Sequence, residues 1–133
     1  MISWDETAIL NIGEIDRQHQ HLFALVDNLH QAMASPQSTD SVSNALEELV
    51  NFTRMHFATE EALMTRHAYP EYEKHRAEHE TLLQDVAELL QRFRDGDALI
   101  PFAIELDLEA WALKHIVTSD KLLATFLNSK GIF

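Results

Sequence analysis

Cysteine is absent from the chain. That excludes disulfides, Cys-type zinc sites, iron–sulfur clusters and thiol nucleophiles. Basic residues are scarce: ten Lys and Arg stand against 22 Asp and Glu, for a net charge of −12. Such a surface repels phosphates, so neither nucleic acid nor an anionic membrane is an expected partner. No stretch approaches the ~18 apolar residues of a spanning helix. The opening MISWDETAILNIG carries neither the basic segment nor the apolar run of a signal peptide, which makes the cytoplasm the expected location. Glycine and proline number three each, leaving few places to break a helix. Alternating β patterning, internal repeats and low-complexity tracts are missing too. What is present is 133 residues, 46% apolar and 24% charged, the profile of one soluble globular domain over residues 1–133. It also holds eight histidines.

Four segments carry helical periodicity between the Gly and Pro marks. The first runs from about Glu14 to Ala34, with Leu22, Phe23, Val26, Leu29 and Met33 on one stripe. Ser35 to Asp40 reads as a turn, with Thr39 or Asp40 as the cap of a second helix over Ser41 to Arg66. The second helix buries Ala45, Leu46, Leu49, Phe52, Phe57 and Met64. Tyr69-Pro70 marks a corner, with Pro70 suited to the first turn of a third helix that ends near Arg94. Gly96 suits a left-handed C′ position, and a fourth helix covers about Pro101 to Asn128. Residues 1–13 form an irregular arm, anchored by Trp4 and Ile12. Long helices joined by short turns must be antiparallel neighbours. The expected fold is therefore all-α, an up-down-up-down antiparallel four-helix bundle.

In such a bundle, residues equally far from a turn lie at one height. His19 lies 18 residues before the first turn and His56 lies 19 after it. Glu60 lies 8 before the second turn, with His75 and His79 at 7 and 11 after it. His79 and His115 each lie 18 residues from the third turn, and His75 and Asp120 lie 22 and 23 from it. Five histidines and two carboxylates from four helices thus fall in one slab about two helical turns thick. Facing agrees. His56 and Glu60 are i, i+4, as are His75 and His79, so each pair projects from one face. His19 shares the stripe of Leu22, Phe23 and Val26. His115 and Asp120, at i, i+5, would point ~140° apart on an ideal α-helix. Either Asp120 reaches inward from the flank or a π-type turn widens the helix there.

Burying five imidazoles without a metal would demand many hydrogen-bond partners and would cost stability wherever one is missing. The set is too large for one tetrahedral zinc. Five imidazoles and two bridging carboxylates supply nine metal–ligand bonds; two octahedral ions need about twelve. A bridging solvent oxygen supplies two more, and one position stays open. A mixed imidazole and carboxylate set suits iron. The open position, walled by Leu22, Phe57 and Trp111, would accept a small diatomic ligand. The other histidines fall outside this layer. His21 faces away from His19 into solvent, and His30 and His67 lie about 16 Å along their helices, at opposite ends of the bundle.

The strings NIGEIDRQHQHLF, MHFATEE, HRAEH and HIVTSD resemble the hemerythrin family, specifically its bacterial single-domain members. The resemblance covers essentially the whole chain, with all seven ligand positions of the family pattern filled in order. It implies a non-haem di-iron centre with an oxo or hydroxo bridge. His75, His79 and His115 would hold the six-coordinate iron, His19 and His56 the five-coordinate iron where O2 binds, and Glu60 and Asp120 would bridge. It also implies azide or nitric oxide as further small ligands. One departure stands out: the family commonly has Trp-Leu before the fourth-helix histidine, and here it is Trp111-Ala112-Leu113. An alanine at 112 implies a roomier or wetter oxygen pocket and faster autoxidation.

The expected function is therefore reversible O2 binding for transport, storage or delivery, not enzymatic turnover. Oxygen-activating di-iron bundles rely on more carboxylates, typically four Glu with two His, whereas this layer has five His to two carboxylates. The alternatives are an oxygen or redox sensor acting through a partner, and a di-iron oxidase or nitric-oxide-handling enzyme. A metal-free helical interaction module is the remaining possibility.

Overall fold

The apolar stripes fold as helices in the computed structural model, which describes residues 9–34, 39–95 and 114–133. Helix α1 spans Gly13–Ala34, α2 spans Thr39–Arg66 and α3 spans Tyr72–Arg94. The fourth helix is described from Lys114 onward; a π-helical turn at Ile116–Asp120 leads into α4, Lys121–Ser129. There is no strand among the described residues. The architecture is the four-helix bundle, with α2 packed against both α1 and α3. None of these helices is long and apolar enough to cross a membrane.

The stripes deliver one core. Leu22, Val26 and Leu29 of α1, Leu46, Leu49 and Met64 of α2, Val86 and Leu90 of α3, and Leu123 and Leu127 of α4 are all buried. Each buried aliphatic side chain of this size contributes about 1.5–3 kcal/mol, the main force closing the bundle. Ala45, Phe52, Leu89 and Phe93 are only half-buried at its margin. The described part of the arm, from residue 9 on, is tied down by polar contacts as well as by the buried Leu10 and Ile12. The Asp16 carboxylate accepts the Leu10 and Asn11 amides at 2.8 and 3.1 Å. From the other end of the chain, Asn128 Nδ2 donates to the Asn11 carbonyl at 3.2 Å. Trp4, the other expected anchor, lies outside the described residues, as do Gly96 and Pro101.

Two boundaries differ from expectation. Helix α2 begins at Thr39, so Thr39 and Asp40 belong to the helix and do not precede it. Pro70 is not in the first turn of α3, which starts at Tyr72 after Glu71. The reason is the C-terminus of α2. Tyr69 N–H donates to the Met64 carbonyl at 2.9 Å and Ala68 N–H to the Thr65 carbonyl, while Ala68 takes φ 53°. This is a Schellman closure with alanine where glycine is usual. Tyr69 and Met64, the positions that flank such a closure, are both buried in the core. Those extra residues push Pro70 into the corner itself.

Candidate metal centre

Helical periodicity brings most of the layer inward. His19 comes from α1, His56 and Glu60 from α2, His75 and His79 from α3, and His115 and Asp120 from the fourth helix. All seven are buried, with relative exposures between 0% and 7%. The awkward pair is reconciled by the π turn. Lys121 N–H donates to the Ile116 carbonyl five residues back, and this wider winding brings residues five apart onto nearly one face. His115 and Asp120 therefore both point inward, and Asp120 does not reach in from the flank.

The carboxylates divide their oxygens between two groups of imidazoles. Glu60 Oε1 lies 3.2 Å from His75 Nε2 and 3.0 Å from His79 Nε2. Its other oxygen, Oε2, lies 3.0 Å from His56 Nε2 and 3.6 Å from His19 Nε2. Asp120 does the same: Oδ1 lies 3.0 Å from both His75 and His115 Nε2, and Oδ2 lies 3.0 Å from His19 Nε2. Two donor sets result, Glu60, His75, His79, His115 and Asp120 in one, and His19, His56, Glu60 and Asp120 in the other. Within each set the ligand atoms lie inside 4.8 Å of one another.

Only part of this cluster is hydrogen-bonded, His75 Nε2 with Glu60 Oε1 and His79 Nε2 with His115 Nε2, both at 3.2 Å. His19 Nε2, His56 Nε2, Glu60 Oε2 and both Asp120 oxygens have no hydrogen-bond partner despite their short separations. Lone pairs that converge on shared points, and not on each other, fit a metal ion at each point. Unpaired and buried without one, they would each cost roughly 1–3 kcal/mol. The donor chemistry, imidazole with carboxylate and no thiolate, fits non-haem iron.

Two residues that the sequence reading did not single out orient the imidazoles. Gln18 Oε1 accepts from His56 Nδ1 at 2.7 Å, and Gln18 Nε2 donates to Thr59 Oγ1 at 3.3 Å. Glu61 Oε2 accepts from His79 Nδ1 at 3.0 Å. Each acceptor places the ring proton on Nδ1 and leaves Nε2 free for the centre. They stand next to His19 and Glu60 in the chain, but adjacency alone does not say whether such a residue faces a ring or solvent. Phe57 stacks flat on the His79 ring, with centroids 3.8 Å apart.

Charge in the metal-free cluster is shared strongly. Burial pushes the His19 imidazolium pKa down, but Asp120 and Glu60 outweigh this and raise it to about 9. The same opposition, again won by Asp120 and Glu60, raises His75 to about 10. For His115, burial lowers and Asp120 raises, with a net rise. Burial would raise Glu60, but His56, His19 and His75 hold it well below the ordinary carboxylate range. Asp120 is likewise held low, by His115 and His19, against burial and the nearby Glu60. Metal ions would therefore enter by displacing protons from imidazoles.

Of the expected pocket wall, Leu22 and Phe57 are buried; Trp111 and Ala112 lie outside the described residues. His21 is exposed, with its ring 4.5 Å from Phe52, and His30 and His67 join neither donor set. Two surface clefts between α3 and the fourth helix, of about 530 and 580 Å³, border His115 and His75 respectively. Neither touches Leu22 or Phe57.

Comparison with known proteins agrees with this geometry. Residues 10–127 match the family described as the hemerythrin HHE cation binding domain. The chain is 32% identical over 124 residues to a bacteriohemerythrin of Stenotrophomonas maltophilia, covering 93% of this chain and 80% of the relative. It is 30% identical over 119 residues to the bacteriohemerythrin of Methylococcus capsulatus, covering 90% of each. A crystal structure of wild-type hemerythrin superimposes with a TM-score of 0.87 at 28% identity, covering 94% of this chain and 96% of the other.

Proposed function

The chain belongs to the hemerythrin family, and from that premise we propose that it binds dioxygen reversibly at a di-iron centre in the bundle core. His75, His79 and His115 would hold one iron and His19 and His56 the other. Glu60 and Asp120 would bridge them, together with an oxo or hydroxo group from solvent. The observation that carries this reading is the division of each carboxylate: one oxygen faces the first imidazole group and the other faces the second. A carboxylate placed this way would offer one oxygen to an ion in each donor set. A ferrous pair supplies the electrons that reversible dioxygen binding draws on.

The remaining work belongs to the chain. One donor set offers five residues and the other four, so the His19–His56 side is the less filled and is where a small ligand enters. Leu22 and Phe57 are buried and Phe57 stacks on His79; an apolar wall made by them would exclude water and slow irreversible oxidation. Gln18 and Glu61 keep the His56 and His79 rings turned toward the centre. The imidazole-rich donor set supports binding over substrate oxidation, because oxygen-activating bundles use more carboxylates.

Iron content per chain, with visible spectra of the deoxygenated protein before and after air, tests the proposal. Two irons and a reversible, oxygen-dependent colour change are the expected result. Iron that oxidises with no stable oxygenated form would favour the sensor or enzyme reading, and no iron after anaerobic reconstitution would overturn the metal reading.

A further inference from the structure

Eight polar or charged residues are buried among those described. Seven form the metal cluster; the eighth is Thr53. Its Oγ1 has no hydrogen-bond partner. This sets it apart from the other threonines with described side chains. Thr59, Thr65, Thr81, Thr118 and Thr125 each return their hydroxyl to the backbone carbonyl four residues earlier in their own helix. That back-bond is the ordinary refuge of a helical threonine, and it is available in only some side-chain rotamers. Thr53, with no exposed surface at all, forgoes it. A buried hydroxyl left unpaired costs stability, so its persistence calls for a partner that arrives from elsewhere.

Its position says which partner. Thr53 precedes His56 by three residues and Glu60 by seven, which places all three on one stripe of α2. It lies about 4.5 Å along the axis from His56. Because α1 and α2 are antiparallel, the same displacement on α1 leads from His19 to Leu22. Thr53 and Leu22 therefore stand at one height, just beyond the two histidines of the four-donor set. Leu22 and Phe57, the neighbours expected to wall this end, offer no polar atom from their side chains.

We propose that Thr53 selects the ligand: its hydroxyl donates a hydrogen bond to the small molecule taken up on the His19–His56 side. It thereby favours ligands that carry an acceptor atom beyond the coordinating one. The inference rests on the di-iron reading above, and its test separates the two.

The variants are Thr53→Val, which keeps the shape and removes the hydroxyl, and Thr53→Ser, which keeps the hydroxyl. Two quantities are read: the thermal midpoint of the metal-free protein, and the azide dissociation constant of the iron-loaded, oxidised protein. A hydroxyl reserved for ligand leaves the metal-free T53V midpoint equal to or above that of the parent. It weakens azide binding in T53V about tenfold, the size of one lost hydrogen bond, while T53S stays near the parent value. Unchanged azide affinity in T53V overturns the inference. So does a metal-free T53V midpoint lower by several degrees, since the hydroxyl would then be serving the fold. A parent protein that takes up iron but binds no azide, or takes up no iron, overturns the di-iron reading itself, and this inference with it.

Discussion

Loading the centre should release protons, and the count distinguishes this cluster from ordinary histidines. If all five imidazoles kept the usual value of 6.5, each would be about 10% protonated at pH 7.5. Metal binding would then release about half a proton in total. In the metal-free chain, however, Asp120 and Glu60 raise His19 to about 9 and His75 to about 10. Both are essentially fully protonated at pH 7.5, and each must lose its proton to offer Nε2 to a metal. His115, also raised, adds to the release. Glu60 and Asp120, held low, are already ionised and add none. The imidazoles are therefore expected to release about two to three protons per chain on filling with ferrous iron, and the solvent that supplies a hydroxo bridge would release one more. The apparent affinity should rise about a hundredfold or more per pH unit between pH 6 and 8, because two or more protons are displaced together. Anaerobic titration with ferrous iron in dilute buffer, read by a pH indicator, measures the count directly. Fewer than two protons per chain at pH 7.5 would refute the coupling between the carboxylates and these imidazoles.

The same charges set the stability of the metal-free protein. Raised histidines stabilise it fully below pH 6.5, and that contribution fades as pH climbs through about 9 to 10. Depressed carboxylates stabilise it above about pH 4.5, and theirs is lost as pH falls. Urea midpoints should therefore be highest between about pH 4.5 and 6.5 and fall as pH climbs from 7 to 9; a midpoint that rises over that range would contradict this. Glu60→Ala or Asp120→Ala should abolish binding of two irons, while His21→Ala, at an exposed position, should keep both by metal analysis. Gln18→Ala and Glu61→Ala should lower iron affinity by about 10–100-fold through loss of ring orientation, and unchanged affinity in competition with a chelator would remove them from the site. Ala68→Gly should raise stability by about 0.5–1 kcal/mol in chemical denaturation, because it relieves the left-handed strain at φ 53°; a destabilised variant would show that the alanine methyl packs usefully.

The bundle and its layer of histidines were legible because both follow from periodicity. A helix repeats its faces every 3.6 residues, and antiparallel helices joined by short turns put equal distances at equal heights. That was enough to gather His19, His56, Glu60, His75, His79 and His115, and to exclude His21, His30 and His67. Asp120 sat at the limit of this logic. Its five-residue offset from His115 allowed either a flanking reach or a widened turn, and only the packed fourth helix, with its bond from Lys121 back to Ile116, chose the second. Pro70 was misplaced because α2 ends in a Schellman closure with Ala68 in the left-handed region, and an alanine there gives no sign of it in the spacing.

Gln18 and Glu61 were overlooked for a related reason. A polar residue beside a ligand in sequence faces solvent as readily as it faces a ring, and the neighbouring helix decides which. The sequence by itself determined which side chains share a height and a face, since covalent spacing and helical pitch suffice for that. Tertiary structure alone decided where individual atoms point: which oxygen of Glu60 faces which imidazole, which ring nitrogen meets Gln18 or Glu61, and that the Thr53 hydroxyl finds no partner in its own helix. Those are choices among rotamers nearly equal in an isolated helix, and they are resolved only by what packs against them.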